Sequence, residues 1–181
     1  KEVLQPDESA THQTTETDPP RDMRFAEVLR TPRFWLLFFI NIAQASMLFM
    51  AGMHIAAHAV DTGVSASAAA FTLTFMGSAN IAAKLFAGGI ASRRGSTFTL
   101  LLFIGTEALA LVIFAFAGQT WLFYLASALL GLGIGGATPP LASLIAEFFG
   151  LRSVGTITGL VGVGWAAGCS LGTVIGDVIF D

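Results

Sequence analysis

Residues 34–60 read FWLLFFINIAQASMLFMAGMHIAAHAV, and this stretch contains no Asp, Glu, Lys or Arg. A helix needs about 20 mostly apolar residues to cross the hydrocarbon core of a bilayer. The stretch is long enough to do so, whereas a soluble core is built from shorter amphipathic segments. It therefore predicts a membrane-spanning helix.

Four further stretches repeat this pattern along the chain. Residues 62–92 contain one charged residue, Lys84, and residues 95–120 contain one, Glu107. Residues 121–146 and 153–176 contain none. Gly, Pro and polar residues separate the stretches and mark the turns between them. The sequence thus predicts an all-α membrane protein with five spans, at about 34–60, 65–91, 96–117, 121–147 and 154–176.

The composition excludes several other classes of protein. Charged residues make up 12% of the chain, against roughly 25% in soluble domains. The basic residues are few and form no stripe, so a nucleic-acid partner is not expected. No nucleophile–base pair, metal-ligand set or phosphate loop is visible, so we expect neither an enzyme nor a cofactor. The single cysteine, Cys169, cannot form a disulfide within the chain.

The first 32 residues differ from the rest. Residues 1–20 are polar and predict a flexible linker. Residues 21–30 are typical either of a short amphipathic helix at the membrane surface or of a continued loop. We therefore divide the chain into a linker, residues 1–32, and a transmembrane bundle, residues 33–181. Because the chain opens on Lys1 rather than Met, we expect it to begin within a longer protein.

Positive charges fall on one side of the predicted bundle. They precede span one, separate spans two and three, and separate spans four and five: Arg21, Arg24, Arg30, Arg33, Arg93, Arg94 and Arg152. The opposite loops contain no Lys or Arg. The positive-inside rule therefore predicts a cytoplasmic linker in a protein of the plasma or inner membrane. An odd number of spans also leads us to expect a last helix that this chain lacks.

Lys84 is the most informative ionisable residue. A lysine near mid-membrane costs roughly 2.5–3.5 kcal/mol on insertion scales. Helical spacing places Gly77, Asn80, Lys84 and Gly88 on one face of span two. That face combines a cation, an amide and two small residues, which suits an anion or a second helix. Alternatively, Lys84 extends its ammonium group to the nearby membrane surface.

Other residues suggest helix packing or gating. Gly164, Gly168 and Gly172 recur every four residues on span five, and such spacing lets helix backbones approach closely. Pro139 and Pro140 should kink span four, because both lack a backbone donor. Near the end of the same span, Glu147 is either a gate latch that pairs with arginines or a solvated end charge.

Three local features resemble the C-terminal half of the major facilitator superfamily. Residues 30–35, RTPRFW, look like the entry to helix seven in members similar to oxalate/formate antiporters and monocarboxylate transporters. Residues 88–95, GGIASRRG, are similar to the family loop G-x-L-A-D-R-x-G, and the residues that we assign to this loop motif are Gly88, Arg93, Arg94 and Gly95. Residues 149–152, FGLR, with the glycines that follow, resemble the loop between helices ten and eleven. Ser92 departs from the family pattern, which has Asp there.

The resemblance implies a fold and a set of site residues. The spans correspond to helices seven to eleven of a six-helix half, with the twelfth missing. In monocarboxylate-type relatives a cation on helix eight binds the substrate carboxylate, and Lys84 with Asn80 stands at that place. Helix seven lines the cavity, so Asn41, Gln44 and His54 would contact substrate. Helix nine is peripheral, so span three with Glu107 should lie outside the polar groove formed by the other four spans.

Two functions from different classes follow. The first is a secondary transporter that moves a small organic anion, such as a monocarboxylate, by alternating access with a proton or counter-anion. An exporter of drugs or other neutral solutes is the alternative within that class. The second class is a non-transporting receptor or scaffold, which needs no polar path. In either transporter the partners are the substrate, the bilayer and an N-terminal transmembrane half.

Overall fold

The structure, a computed structural model, describes residues 25–151 and 154–180. The regular elements in these ranges are one short and five long α-helices. They are α1, Phe25–Val28; α2, Pro32–Asp61; α3, Ala66–Arg94; α4, Ser96–Ala115; α5, Thr120–Phe149; and α6, Val154–Phe180. The predicted all-α class and its five long helices are confirmed.

Four of the long helices are long and apolar enough to cross a membrane. They are Pro32–Asp61, Ser96–Ala115, Thr120–Phe149 and Val154–Val178. α3 has the necessary length, with 29 residues, but it is not one of these four. Its sequence mixes Ala and Gly with Ser, Thr, Asn80 and Lys84. The transfer of these residues from water into lipid is less favourable than that of Leu, Ile or Phe.

The helix boundaries follow local backbone chemistry. Ser65 caps α3 by accepting a hydrogen bond from the backbone N–H of Ala68 at 3.4 Å. Gly95 alone separates α3 from α4, and its φ of 86° permits the abrupt change of direction. Gly150 ends α5 in the same way, with φ of 81°. Glycine adopts such angles without the clash that a Cβ would cause.

α2 and α6 pack closely and run parallel, and glycines of α6 form the contact. A Cβ at Gly168 would overlap the carbonyl oxygen of Ile42, and one at Gly172 would overlap that of Ser46. A Cβ at Gly164 would lie 2.8 Å from the ring of Phe38. The glycine stripe therefore brings the two backbones into direct contact.

α5 lies between α3 and α4 and presents glycines to both. Gly131 and Gly135 face the backbone of α3, where a Cβ would overlap the carbonyl oxygens of Met76 and Asn80. On an adjacent side of α5, Gly136 faces the ring of Phe103 in α4. The helix continues through Pro139 and Pro140 to Phe149. One glycine-rich segment thus holds two neighbouring helices.

The largest apolar cluster of the bundle includes the start of α2 and the end of α5. Phe34, Phe149 and Ile157 are each only 1% exposed and belong to it. Val28 of α1 is also 1% exposed and joins this cluster. α1 therefore packs onto the end of the bundle that holds Arg93 and Arg94, hereafter the Arg93 end. The opposite end, with Asp61 and Asp177, is the Asp61 end.

Candidate functional site

A buried hydrogen bond joins α2 to α4. The side-chain amide of Gln44 donates from Nε2 to Oε1 of Glu107 at 3.0 Å. The exposed fractions of Gln44 and Glu107 are only 4% and 2%. Glu107 lies roughly 17 Å along α4 from Ser96, at ~1.5 Å per residue. The pair is therefore near the middle of the membrane-spanning region.

A glycine of α5 provides the space that Glu107 occupies. A Cβ at Gly133 would overlap Cγ of Glu107 and would lie 2.8 Å from the carbonyl oxygen of Phe103. The carboxyl group is thus enclosed between the backbone of α5 and the amide of Gln44.

Two expectations concern this pair. Glu107 was expected outside the polar groove, and it does not line the groove that contains Asn41, although its side chain points into the bundle. Gln44 was expected to contact substrate; it is buried against that carboxyl, and its contact with substrate stays a prediction. The physical reason for the burial is that neither a carboxyl nor an amide finds hydrogen-bond partners among lipid chains. α4 therefore turns its polar side chain towards its neighbours.

Asn41 lies one turn before Gln44, at a groove between α2, α5 and α6. Its Nδ2 donates to the backbone carbonyl of Val161 at 2.7 Å. The groove has a volume of about 230 Å³. Its lining is mostly apolar and contains two threonines: Asn41, Thr138, Leu141, Ala142, Ile145, Thr158, Val161, Gly162 and Trp165. No side chain in this lining carries a charge.

His54 lies elsewhere, in a cavity towards the Asp61 end of the bundle. This cavity of about 100 Å³ separates α2 from α4, and its lining is Met50, Ala51, His54, Ile55, His58, Leu111 and Phe114. His54 Nε2 is 3.6 Å from Oδ1 of Asp177 in α6. The ring of His58 meets that of Phe123 edge-on at 5.6 Å. His54 therefore does not share the groove that contains Asn41.

Lys84 occupies an exposed face of α3. Gly77 and Gly88 on that face have no neighbouring atoms where a Cβ would lie, and Lys84 itself is exposed. Asn80 is half-buried, because its backbone contacts Gly135. Among residues 25–151 and 154–180, Lys84 forms no ion pair. The predicted face is thus present but uncovered in this chain.

At the Arg93 end, Glu147 accepts a hydrogen bond from the hydroxyl of Ser96. This bond links the start of α4 to the end of α5. Of the two expectations for Glu147, no pairing with Arg93 or Arg94 is present within the described residues, and its exposed side chain agrees with a solvated end charge. Arg152, the third expected partner, lies outside the described residues. Arg94 instead lies over the ring of Phe98, at 5.6 Å.

The five predicted substrate contacts are thus spread over four places. Asn80 and Lys84 share one helix face, whereas Asn41, Gln44 and His54 lie in separate surroundings. Glu107 forms a buried contact with Gln44 that the sequence did not predict. Its signal was present, because it is the only charged residue in an otherwise apolar span. The family resemblance, which placed its helix at the periphery, outweighed that signal.

Comparison with known proteins adds a family and a set of relatives. The chain is 34% identical over 111 residues to the multidrug resistance protein MdtG of Rahnella sp. (strain Y9602). The aligned segment covers 61% of this chain and 26% of that protein. The proteins of the same name from Enterobacter lignolyticus and Citrobacter koseri are each 35% identical over 111 residues, covering 26% and 27% of their length. The chain spans about a quarter of the length of these relatives.

The family assignment covers nearly the whole chain. The model of the Major Facilitator Superfamily matches residues 3–173. This range includes α1 to α5 and most of α6. The resemblance to the oxalate and monocarboxylate branch is not confirmed, since the relatives carry a different name. The helical architecture, the membrane-spanning helices and this match agree, and the chain therefore belongs to the Major Facilitator Superfamily.

Proposed function

We propose that the chain is part of a secondary transporter that exports amphipathic organic compounds by alternating access. The groove between α2, α5 and α6 carries this proposal. Its lining is apolar and aromatic, with Asn41, Thr138 and Thr158 as hydrogen-bonding groups and no charge. Pockets of this kind bind apolar ligands and orient them with few polar contacts. The name of the relatives, multidrug resistance protein, supports the same class of substrate.

The helix packing supports the transport mechanism. α2 packs chiefly on α6, while α3 and α4 pack chiefly on α5. Contacts between these two groups are sparser. Two closely packed groups with a weaker boundary suit the small rigid-body shifts on which alternating access depends. The groove lies at that boundary, where a shift would change its shape.

A small organic anion is the second candidate substrate, and Lys84 favours it. The exposed ammonium group of Lys84 has no carboxylate partner among the described residues, so it is available to an anion. Lysine offers a point charge rather than the two-pronged contact of arginine, so recognition would be loose. The two candidate substrates would bind at different places. Amphipathic compounds would bind in the groove, whereas anions would bind at Lys84.

The test is a susceptibility assay of the full-length protein in a host that lacks its own exporters. We expect the wild type to raise the tolerated concentration of several amphipathic compounds. Trp165→Ala should reduce tolerance or change the set of compounds, because it removes the largest side chain of the groove. Trp121→Ala is the matched control, since Trp121 is exposed at the start of α5. Unchanged tolerance to every compound, together with uptake of monocarboxylates, would refute export.

A further inference from the structure

Glu107 has no part in the proposed substrate groove. It lies in a different part of the bundle, with 2% of its surface exposed and Gln44 as its hydrogen-bond donor. Among the described residues, no lysine or arginine lies within ion-pair distance of it. An ionisable side chain in this setting is expensive to maintain, so a membrane protein that keeps one generally uses it.

The surroundings fit a carboxyl group that alternates between two protonation states. A carboxylate removed from water needs a cation or several donors to offset the lost hydration. Here one amide donor is present, and the α5 face that meets the carboxyl is the bare backbone at Gly133. Gln44 can donate to a carboxylate oxygen and, more weakly, to the carbonyl oxygen of a neutral carboxyl group. The bond therefore holds the side chain in place in both states.

We propose that Glu107 is the proton-carrying residue of this transporter, with Gln44 as its positioning residue. The proposal rests on the transport activity proposed above. The carboxylate takes a proton from water on one side of the membrane and becomes a neutral carboxyl group. After the bundle changes conformation, the same proton leaves to water on the other side. No bond to the substrate forms or breaks.

The cavity towards the Asp61 end of the bundle lies close to this pair but is not lined by it. Leu111, which lines the cavity, is one helical turn from Glu107 on α4. The titratable groups in or beside this cavity are His54 and His58 of α2, which line it, and Asp177 of α6, beside His54. The residue of α5 that meets the carboxyl group is a glycine, Gly133. The charged residue in the middle of α3, Lys84, lies on an exposed face. Glu107 is therefore the one carboxyl group enclosed by the described part of the bundle.

The first experiment separates proton coupling from substrate movement in vesicles that contain the full-length protein. Glu107→Gln keeps the hydrogen bond to Gln44 but cannot carry a proton. We expect it to exchange labelled substrate across the membrane at a rate near that of the wild type. Accumulation driven by an imposed pH gradient should fall to the level seen without a gradient. Glu107→Asp should retain part of the gradient-driven accumulation, and Asp61→Asn, which alters an exposed carboxyl, should retain all of it.

Two outcomes would overturn the proposal. Gradient-driven accumulation by Glu107→Gln at the wild-type level would show that the proton is carried elsewhere. Loss of exchange and accumulation together, in Glu107→Gln and Glu107→Asp alike, would show a purely structural role. Failure of the wild type to move any compound would instead refute the proposed function.

A second measurement tests Glu107 without any substrate. Infrared spectra of the purified full-length protein report the carbonyl stretch of a protonated carboxylic acid. We expect a band that responds to pH in the wild type, disappears in Glu107→Gln and persists in Asp61→Asn. Gln44→Leu should shift the position of the band and its pH response, since the amide donor is lost. A spectrum that Glu107→Gln leaves unchanged would refute the proposal even if transport is never observed.

Discussion

Gly168 is a residue where the absence of a side chain decides the packing. Its Cα lies against the carbonyl of Ile42, and an added Cβ would also lie 2.7 Å from Cβ of Ala45. Backbone cannot move aside as a flexible side chain can, so α6 would have to separate from α2. Overpacking of this kind typically costs about 1–3 kcal/mol.

We therefore expect Gly168→Ala to lower the thermal unfolding temperature of the detergent-purified protein. The matched control is Gly159→Ala on the same helix, where a Cβ would meet open space. It should leave the temperature unchanged or raise it, because alanine favours a helix by about 1 kcal/mol over glycine. Equal unfolding temperatures for the two variants would contradict the close contact between α2 and α6.

Substitutions at Lys84 distinguish the two candidate substrates. If an anion binds to its ammonium group, Lys84→Ala should abolish monocarboxylate transport in the full-length protein, while Lys84→Arg should retain part of it. If amphipathic compounds are the substrates, Lys84→Ala should leave compound tolerance near the wild-type level. Both assays require equal amounts of protein at the membrane, measured by immunoblot. Full monocarboxylate transport by Lys84→Ala would remove the anion hypothesis.

Lys84 and Glu107 also show what could and could not be predicted from the sequence. Both could be singled out because each is the only charge in its apolar stretch. Helical spacing correctly grouped Lys84 with Gly77 and Gly88 on one open face. Which way Glu107 points depends on the rotation of α4 against α2 and α5. That rotation depends on packing between distant segments, about which local spacing carries no information.

At the scale of helices, the junction of α3 and α4 depends on one residue. Gly95 has φ of 86° and ψ of 153°, a conformation that is essentially restricted to glycine. Its N–H donates to the carbonyl of Ala91 at 2.8 Å and so ends α3. Because α4 begins at the next residue, no loop is available to absorb a change in these angles.

Gly95→Ala should therefore destabilise the bundle by about 1–3 kcal/mol, the usual cost of a strained backbone residue. A titration with sodium dodecyl sulfate, followed by tryptophan fluorescence, would measure the loss. Gly118→Ala between α4 and α5 is the control, since Gly118 has open space around it and an ordinary φ. If Gly95→Ala unfolds at the same detergent fraction as Gly118→Ala, the junction is not strained.

The helices themselves were predictable, whereas their pairing was not. Five apolar stretches indicated five helices, and glycines four residues apart correctly marked a close-packing face of α6. The sequence does not say that this face meets α2, because every long helix has small residues that suit close packing. The same holds for α5, whose glycines serve two partners only because α3 and α4 lie on adjacent sides of it.

At the scale of the whole molecule, the arginines predict which end faces the cytoplasm. The test uses single cysteines in a full-length background where Cys169→Ser removes the native thiol. A cysteine at Ser92, near the Arg93 end, should resist a membrane-impermeant thiol reagent in intact cells. A cysteine at Thr62, at the Asp61 end, should react readily. Both positions are exposed, so burial within the bundle does not favour labelling of either one. The reverse labelling pattern would show that the orientation is the opposite of the one predicted.

The modest apolarity of α3 has a consequence for how the chain is made. The ribosome releases α3 before α5, yet α5 supplies the glycine face against which the backbone of α3 packs. Until Gly131 and Gly135 have been synthesised, α3 lacks that partner, and its own side chains hold it only weakly in lipid. We expect nascent chains arrested after α4 to leave a cysteine at Thr74 open to reagents in the aqueous insertion channel, and chains arrested well beyond Phe149 to protect it. For this helix, entry into the bilayer and assembly of the bundle become a single event.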